Sequence, residues 1–129
     1  MRGLTQYVWR DEPLGANEAR WQSGLLFRDG RGKPALRSFP QPFWADQTVA
    51  RRAVRLWGQV RPGGSHVVSV QRSTPGSGRW STIRRLRTSG RGFFALRVAV
   101  TRRADYRFRW DPGGGAALRV SDVRRVTPR

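Results

Sequence analysis

From Ala53 to Val126 the chain repeats one short-range pattern: apolar and polar residues alternate, and glycine or proline breaks the run about every ten residues, a spacing typical of small β domains. A period of two belongs to a strand, because successive side chains of an extended backbone leave on opposite faces. Val54, Leu56, Gly58 and Val60 share one parity, while Arg55, Trp57, Gln59 and Arg61 share the other. Pro62-Gly63-Gly64 turns the chain into a second strand over 66–72, with Val68 and Val70 inward. A loop at 74–78 leads to a third over 80–87, where Ile83 breaks the parity of Trp80 and Leu86 and predicts a bulge. Phe94, Leu96, Val98 and Val100 form the cleanest alternation, followed by Tyr106, Phe108 and Trp110. After Asp111-Pro112-Gly113-Gly114-Gly115 come Leu118, Val120, Val123 and Val126. Six or seven short strands with no helix between them predict a mainly β fold, a small antiparallel β-sandwich of immunoglobulin-like architecture over 53–127.

The first third is patterned differently. Leu4 to Trp9 is rich in strand formers and runs into a polar turn, Arg10-Asp11-Glu12-Pro13. Asp29-Gly30 marks a tight turn, and Pro34 opens a short helix that Pro40 and Pro42 end. A strand, a loop and a short helix enclose no core, so 1–46 is expected to need a partner, with 47–52 as a linker. Trp21 and Trp44 are expected to pack this strand and helix onto something else. If the partner is another copy of the chain, Trp9, Trp21, Phe27, Phe39 and Phe43 supply the surface for a homo-oligomer.

Charge separates the two regions further. The 129 residues carry 26 Lys+Arg against 8 Asp+Glu, a net charge of +18. Up to Asp46 there are seven basic and five acidic residues; beyond it there are 19 and three. Lys33 is the only lysine, and Asn17 and Ile83 are likewise single, the signature of GC-rich codon usage. Codon usage accounts for arginine over lysine, not for the excess of cations. Arg55, Arg61, Arg85, Arg97, Arg107, Arg109 and Arg119 fall opposite the apolar parity and are expected to make an anion-binding face, with Trp57 as a stacking surface beside Arg55. The partners this implies are an acidic polysaccharide or an anionic cell-wall polymer. Nucleic acid ranks below them, because no aromatic RNA-binding motif, GXXG loop or recognition helix is present. The simplest competing reading is that outward strand positions must be polar and arginine fills them. No cysteine and a single histidine, His66, exclude a disulfide framework and a His/Cys zinc site, so no metal or other cofactor is expected. The run Gly113-Gly114-Gly115 lacks the Lys-Ser/Thr of a phosphate loop. No apolar stretch is long enough to insert in a membrane.

Several spaced motifs in the first third resemble the end of the catalytic barrel of secreted TIM-barrel glycoside hydrolases. They are Leu4 to Trp9, Trp21-Gln22-Ser23-Gly24-Leu25, Asp29-Gly30, and Lys33-Pro34-Ala35 with Phe39. These match the last barrel strand and the approach to the final helix. The region after 52 resembles the immunoglobulin-like or fibronectin type III-like accessory modules that follow such barrels, through Gly58-Gln59-Val60, Trp80 and Gly92-Phe93-Phe94. The resemblance implies a catalytic pair of carboxylates on barrel strands earlier than the last, and no such strands precede Leu4. The chain is therefore expected to be the non-catalytic C-terminal portion of a larger hydrolase, with no catalytic residue of its own. Trp9 and Trp57 are then candidate sugar-stacking residues, and Asp11 and Glu12 candidate polar contacts to sugar. The parent is expected to be secreted; MRGLTQYVWR lacks a signal's apolar core, so this chain alone is expected to stay in the cytoplasm.

Overall fold

Alternating side chains need a second apolar face to bury against, and the chain supplies one from itself. In the computed structural model, which describes residues 9–11, 23–50 and 52–128, the unit Pro40–Arg129 holds eight described strands. They are β1 (Phe43–Ala50), β2 (Ala53–Gln59), β3 (Val67–Ser73), β4 (Ser81–Arg87), β5 (Phe93–Ala99), β6 (Ala104–Trp110), β7 (Arg119–Val120) and β8 (Arg124–Val126). One sheet has the order β1-β2-β5 and the other β4-β3-β6-β7, with β8 also pairing β6; every ladder is antiparallel. This is a small β-sandwich. Constant immunoglobulin domains divide their strands four and three; here β4 pairs with β3 and β8 joins β6, giving three and five.

The inward residues of both sheets meet in one core. Val54, Leu56, Val68, Val70, Phe94, Phe108 and Val126 are buried in it. Phe43, Phe94 and Phe108 form its aromatic centre, with centroids 5.5 Å apart for Phe43–Phe108 and 5.0 Å for Phe94–Phe108. Gly58 is inward on β2 because the Phe94 ring occupies the space a Cβ would need. β8 ties the sheets at one side: it pairs with β6, while Arg124 Nε donates to the Phe43 carbonyl at 2.8 Å.

Three sequence expectations change. The sheet begins earlier than the alternation suggested, because Phe43–Ala50 form β1 and pair with β2; the expected division at 46 and linker at 47–52 give way to a division between Phe39 and Pro40. Phe43, expected on an associating surface, is buried in the sandwich core, and its neighbour Trp44, expected to pack, is 62% exposed. At the last hairpin the parity is inverted, since Val120 lies opposite Arg109 and Arg119 opposite Trp110. The bulge at Ile83 is present: Val70 pairs with Arg84 and Gln71 with Thr82, leaving Ile83 as the extra residue.

In the unit Met1–Phe39, residues 9–11 and 23–39 are described. Leu25 and Leu26 both donate their N–H groups to the Trp9 carbonyl, at 2.9 and 3.0 Å, and Asp11 N–H donates to the Leu26 carbonyl. Gly24 is required here, because a Cβ would stand 2.6 Å from the Asp11 nitrogen. Asp29-Gly30 makes the expected turn, with Gly30 at φ +87°, and α1 (Pro34–Ser38) starts at Pro34. The strand expected over Leu4 to Trp9 lies, apart from Trp9, outside the described residues.

Candidate functional site

The outer face of the three-stranded sheet follows from parity and register. The outward positions of β2 are Arg55, Trp57 and Gln59, and each carries its cross-strand partners with it. Trp44 and Trp57 are directly opposite, with Ala95 beyond Trp57. Phe93 lies opposite Gln59, and its ring centroid is 5.6 Å from that of Trp57, the planes tilted by 36°. Trp44, Trp57 and Phe93 therefore make a band of rings on one sheet face, with Trp44 62% and Phe93 37% exposed. The next row holds Asp46, Arg55 and Arg97, Arg55 lying opposite both of the others. Gln59 is committed to holding the turn beside the band: its Nε2 donates to the Arg91 carbonyl at 3.2 Å and its Oε1 accepts from Arg61 Nε at 3.0 Å. Burial draws the Arg61 guanidinium below its ordinary value. An aromatic band beside two guanidinium groups offers a surface for flat rings and a place for negative charge.

The remaining candidate arginines lie elsewhere. Arg85, Ser69 and Arg109 form a row across the outer face of the five-stranded sheet, and Arg107 with Gln71 the next row. Arg107 is held in place, its guanidinium 4.0 Å over the Trp80 ring and its Nε donating to Gln71 Oε1 at 2.9 Å. Burial, and then the charge of Arg109, draw it below the ordinary arginine value. The single anion-binding face expected from parity is thus two faces on opposite sides of the sandwich. Arg55 and Arg97 belong to one and Arg85, Arg107 and Arg109 to the other, while Arg119 sits at the end of β7 facing neither set. Parity shows which residues leave the core; only strand order shows which sheet they leave from.

The candidates of the first third divide as well. Trp9 is 56% exposed, its ring edge-on to Phe39 with centroids 6.1 Å apart. Asp11, expected to contact sugar, is instead turned inward at 4% exposure. Its Oδ1 accepts from Gly24 N–H at 3.0 Å and from Lys33 Nζ at 2.6 Å. Burying a carboxylate is tolerated only with such partners, so its place is structural. Glu12 and Trp21 lie outside the described residues. His66, the single histidine, packs on Trp110 with centroids 4.6 Å apart and hydrogen-bonds the Gly63 carbonyl through Nε2 at 2.7 Å.

Among the described residues no group of three or more His, Cys, Asp or Glu side chains could hold a metal ion, and no helix is long and apolar enough to cross a membrane. Comparisons with protein-family models, with curated proteins and with solved structures found no match.

Proposed function

We propose that the chain is a non-catalytic portion of a glycoside hydrolase-like protein. Its β-sandwich is a fibronectin type III-like accessory module that holds an acidic polysaccharide on the outer face of β1, β2 and β5. The observation that carries the reading is the cross-strand pair Trp44 and Trp57 with Phe93 beside it, next to Arg55 and Arg97. A monomeric sheet gains nothing for its own fold by leaving a tryptophan 62% exposed. The apolar C–H face of a pyranose lies flat on an indole ring, and a carboxylate or phosphate on that sugar reaches the arginine row. The motifs of the first third support the hydrolase context: Gly24, Asp29-Gly30 and Lys33-Pro34 each hold that unit's backbone, so the resemblance concerns its architecture.

The test is gel retardation of the full chain by a uronic-acid polysaccharide and by a neutral one. The acidic polymer retards the wild type more, and Trp44→Ala and Trp57→Ala each weaken retention by about tenfold, the equivalent of ~1.4 kcal/mol. Both side chains point away from the core, so the variants fold. Retention by neither polymer, or retention unchanged in the double variant, overturns the reading.

A second reading, a stand-alone basic domain for polyanions, draws on the Arg85, Arg107 and Arg109 face of the five-stranded sheet. It is separable: binding there falls steeply with salt, is lost in Arg85→Ala with Arg109→Ala, and ignores the tryptophans.

A further inference from the structure

One end of the five-stranded sheet carries a feature that neither outer face uses. The end of β3, the β3–β4 loop and the β5–β6 turn border a half-open cavity of about 240 Å³. Arg72, Arg79, Arg102 and Arg103 line it, together with Ser73 and Ser77, and no carboxylate does. The nearest acid on the paired strand, Asp105, lies opposite Ser73 and is already engaged by Arg125 through both oxygens, at 2.8 and 3.1 Å. Four arginines thus line one space with no carboxylate among the lining residues; Arg103 also feels the charge of Asp105, and Arg72 hydrogen-bonds the Tyr106 hydroxyl. Their mutual repulsion is a standing cost that a bound anion removes.

The frame around the cavity is set before any ligand arrives. Ser73 Oγ donates to the Thr74 carbonyl at 3.1 Å, which leaves Ser77 Oγ to donate to Ser73 Oγ across 3.0 Å. Ser77 Oγ in turn accepts from Arg79 N–H at 3.2 Å, and Ser77 N–H donates to the Thr74 carbonyl at 3.1 Å. The hydroxyls are spent on fixing the loop, so the arginine side chains do the binding. Arg72 is anchored from below by its place in β3, between Ser81 of β4 and Tyr106 of β6. The volume exceeds what a single tetrahedral oxyanion fills, and at roughly 30 Å³ per water it holds one such group with several waters or with the residue that carries it.

We propose that this cavity is a binding site for a phosphate or sulfate group, bound by the planar forks of Arg72, Arg79, Arg102 and Arg103. It lies apart from the Trp44 and Trp57 band and shares no residue with it, so the two assignments stand or fall separately.

The experiment is isothermal titration of the full chain with inorganic phosphate, sulfate and acetate at low ionic strength. Phosphate or sulfate is expected to bind saturably with one ion per chain, at least tenfold more tightly than acetate. Arg79→Ala combined with Arg102→Ala is expected to weaken that binding by tenfold or more; both residues are exposed outside the strands, so the variant keeps its fold. Arg85→Ala combined with Arg109→Ala leaves the binding unchanged. Repeating the titration with a sugar phosphate and a sulfated sugar tells which carrier the cavity takes, the tighter of the two naming it. Binding no tighter than acetate overturns the proposal, as does binding that the Arg79/Arg102 variant keeps or that the Arg85/Arg109 variant loses.

Discussion

Two glycines show how single residues shape this sandwich. Gly58 looks like a gap in the inward row of β2, yet it is the space into which Phe94 folds against Phe108. Gly92 has φ +80°, and a Cβ there would run into the Val60 carbonyl oxygen. The Val60 N–H donates to the Gly92 carbonyl at 3.0 Å, so the two segments cannot move apart without losing that bond. Gly92→Ala is therefore expected to destabilise the unit by about 1–3 kcal/mol, the cost typical of a strained backbone position. Chemical denaturation reads this as a lower midpoint at unchanged slope. Parity alone placed Val54, Leu56, Val68, Val70 and Phe108 inward, because their strands are long and their neighbours polar. The burial of Asp11, read as a polar contact to sugar, was not legible, since nothing local in sequence tells that Lys33 and Gly24 come back to meet it.

Elements were legible where their inward residues are large. β2, β3, β5 and β6 each carry bulky apolar side chains at alternate positions, and the Ile83 bulge was visible as a break in that rhythm. β1 was missed because Phe43 and Trp44 are adjacent aromatics, Ala45 is the only apolar residue to follow at the right spacing before Asp46 and Gln47, and two prolines precede it. With β1 misread, Trp44 was assigned to packing, and the aromatic band was reduced to Trp57 alone. β8 was half legible, its Val126 buried and Val123, just before it, exposed. What holds β8 to β6 beyond its ladder is Arg125 on Asp105. Arg125 holds the Asp105 carboxyl below its ordinary value of 3.8. That contribution is fully present above the ordinary value and disappears as the pH falls through the lower, folded one. Asp105→Asn is thus expected to be less stable than wild type at pH 6, with the difference closing between pH 4 and 2 in thermal melts. A constant difference across that range contradicts the assignment.

At the scale of the whole molecule, most of the +18 sits on the sandwich and is spread over two outer faces and one end. Such a distribution repels itself, and salt screens the repulsion over about 10 Å at 0.1 M. Raising sodium chloride from 20 to 300 mM is expected to increase the melting temperature by a few degrees; a decrease would mean that attractive pairs dominate. The charge total was legible in sequence, whereas its division was not, because strand order is set by pairings distant along the chain. The same screening bears on β4, the outermost strand of its sheet. Its open hydrogen-bonding edge is bent by the Ile83 bulge and guarded by Arg84, Arg85 and Arg87, a combination that turns away another strand. Salt leaves the bulge in place but mutes the arginines, so the conditions that steady each folded molecule are also those under which two molecules first tolerate lying edge to edge.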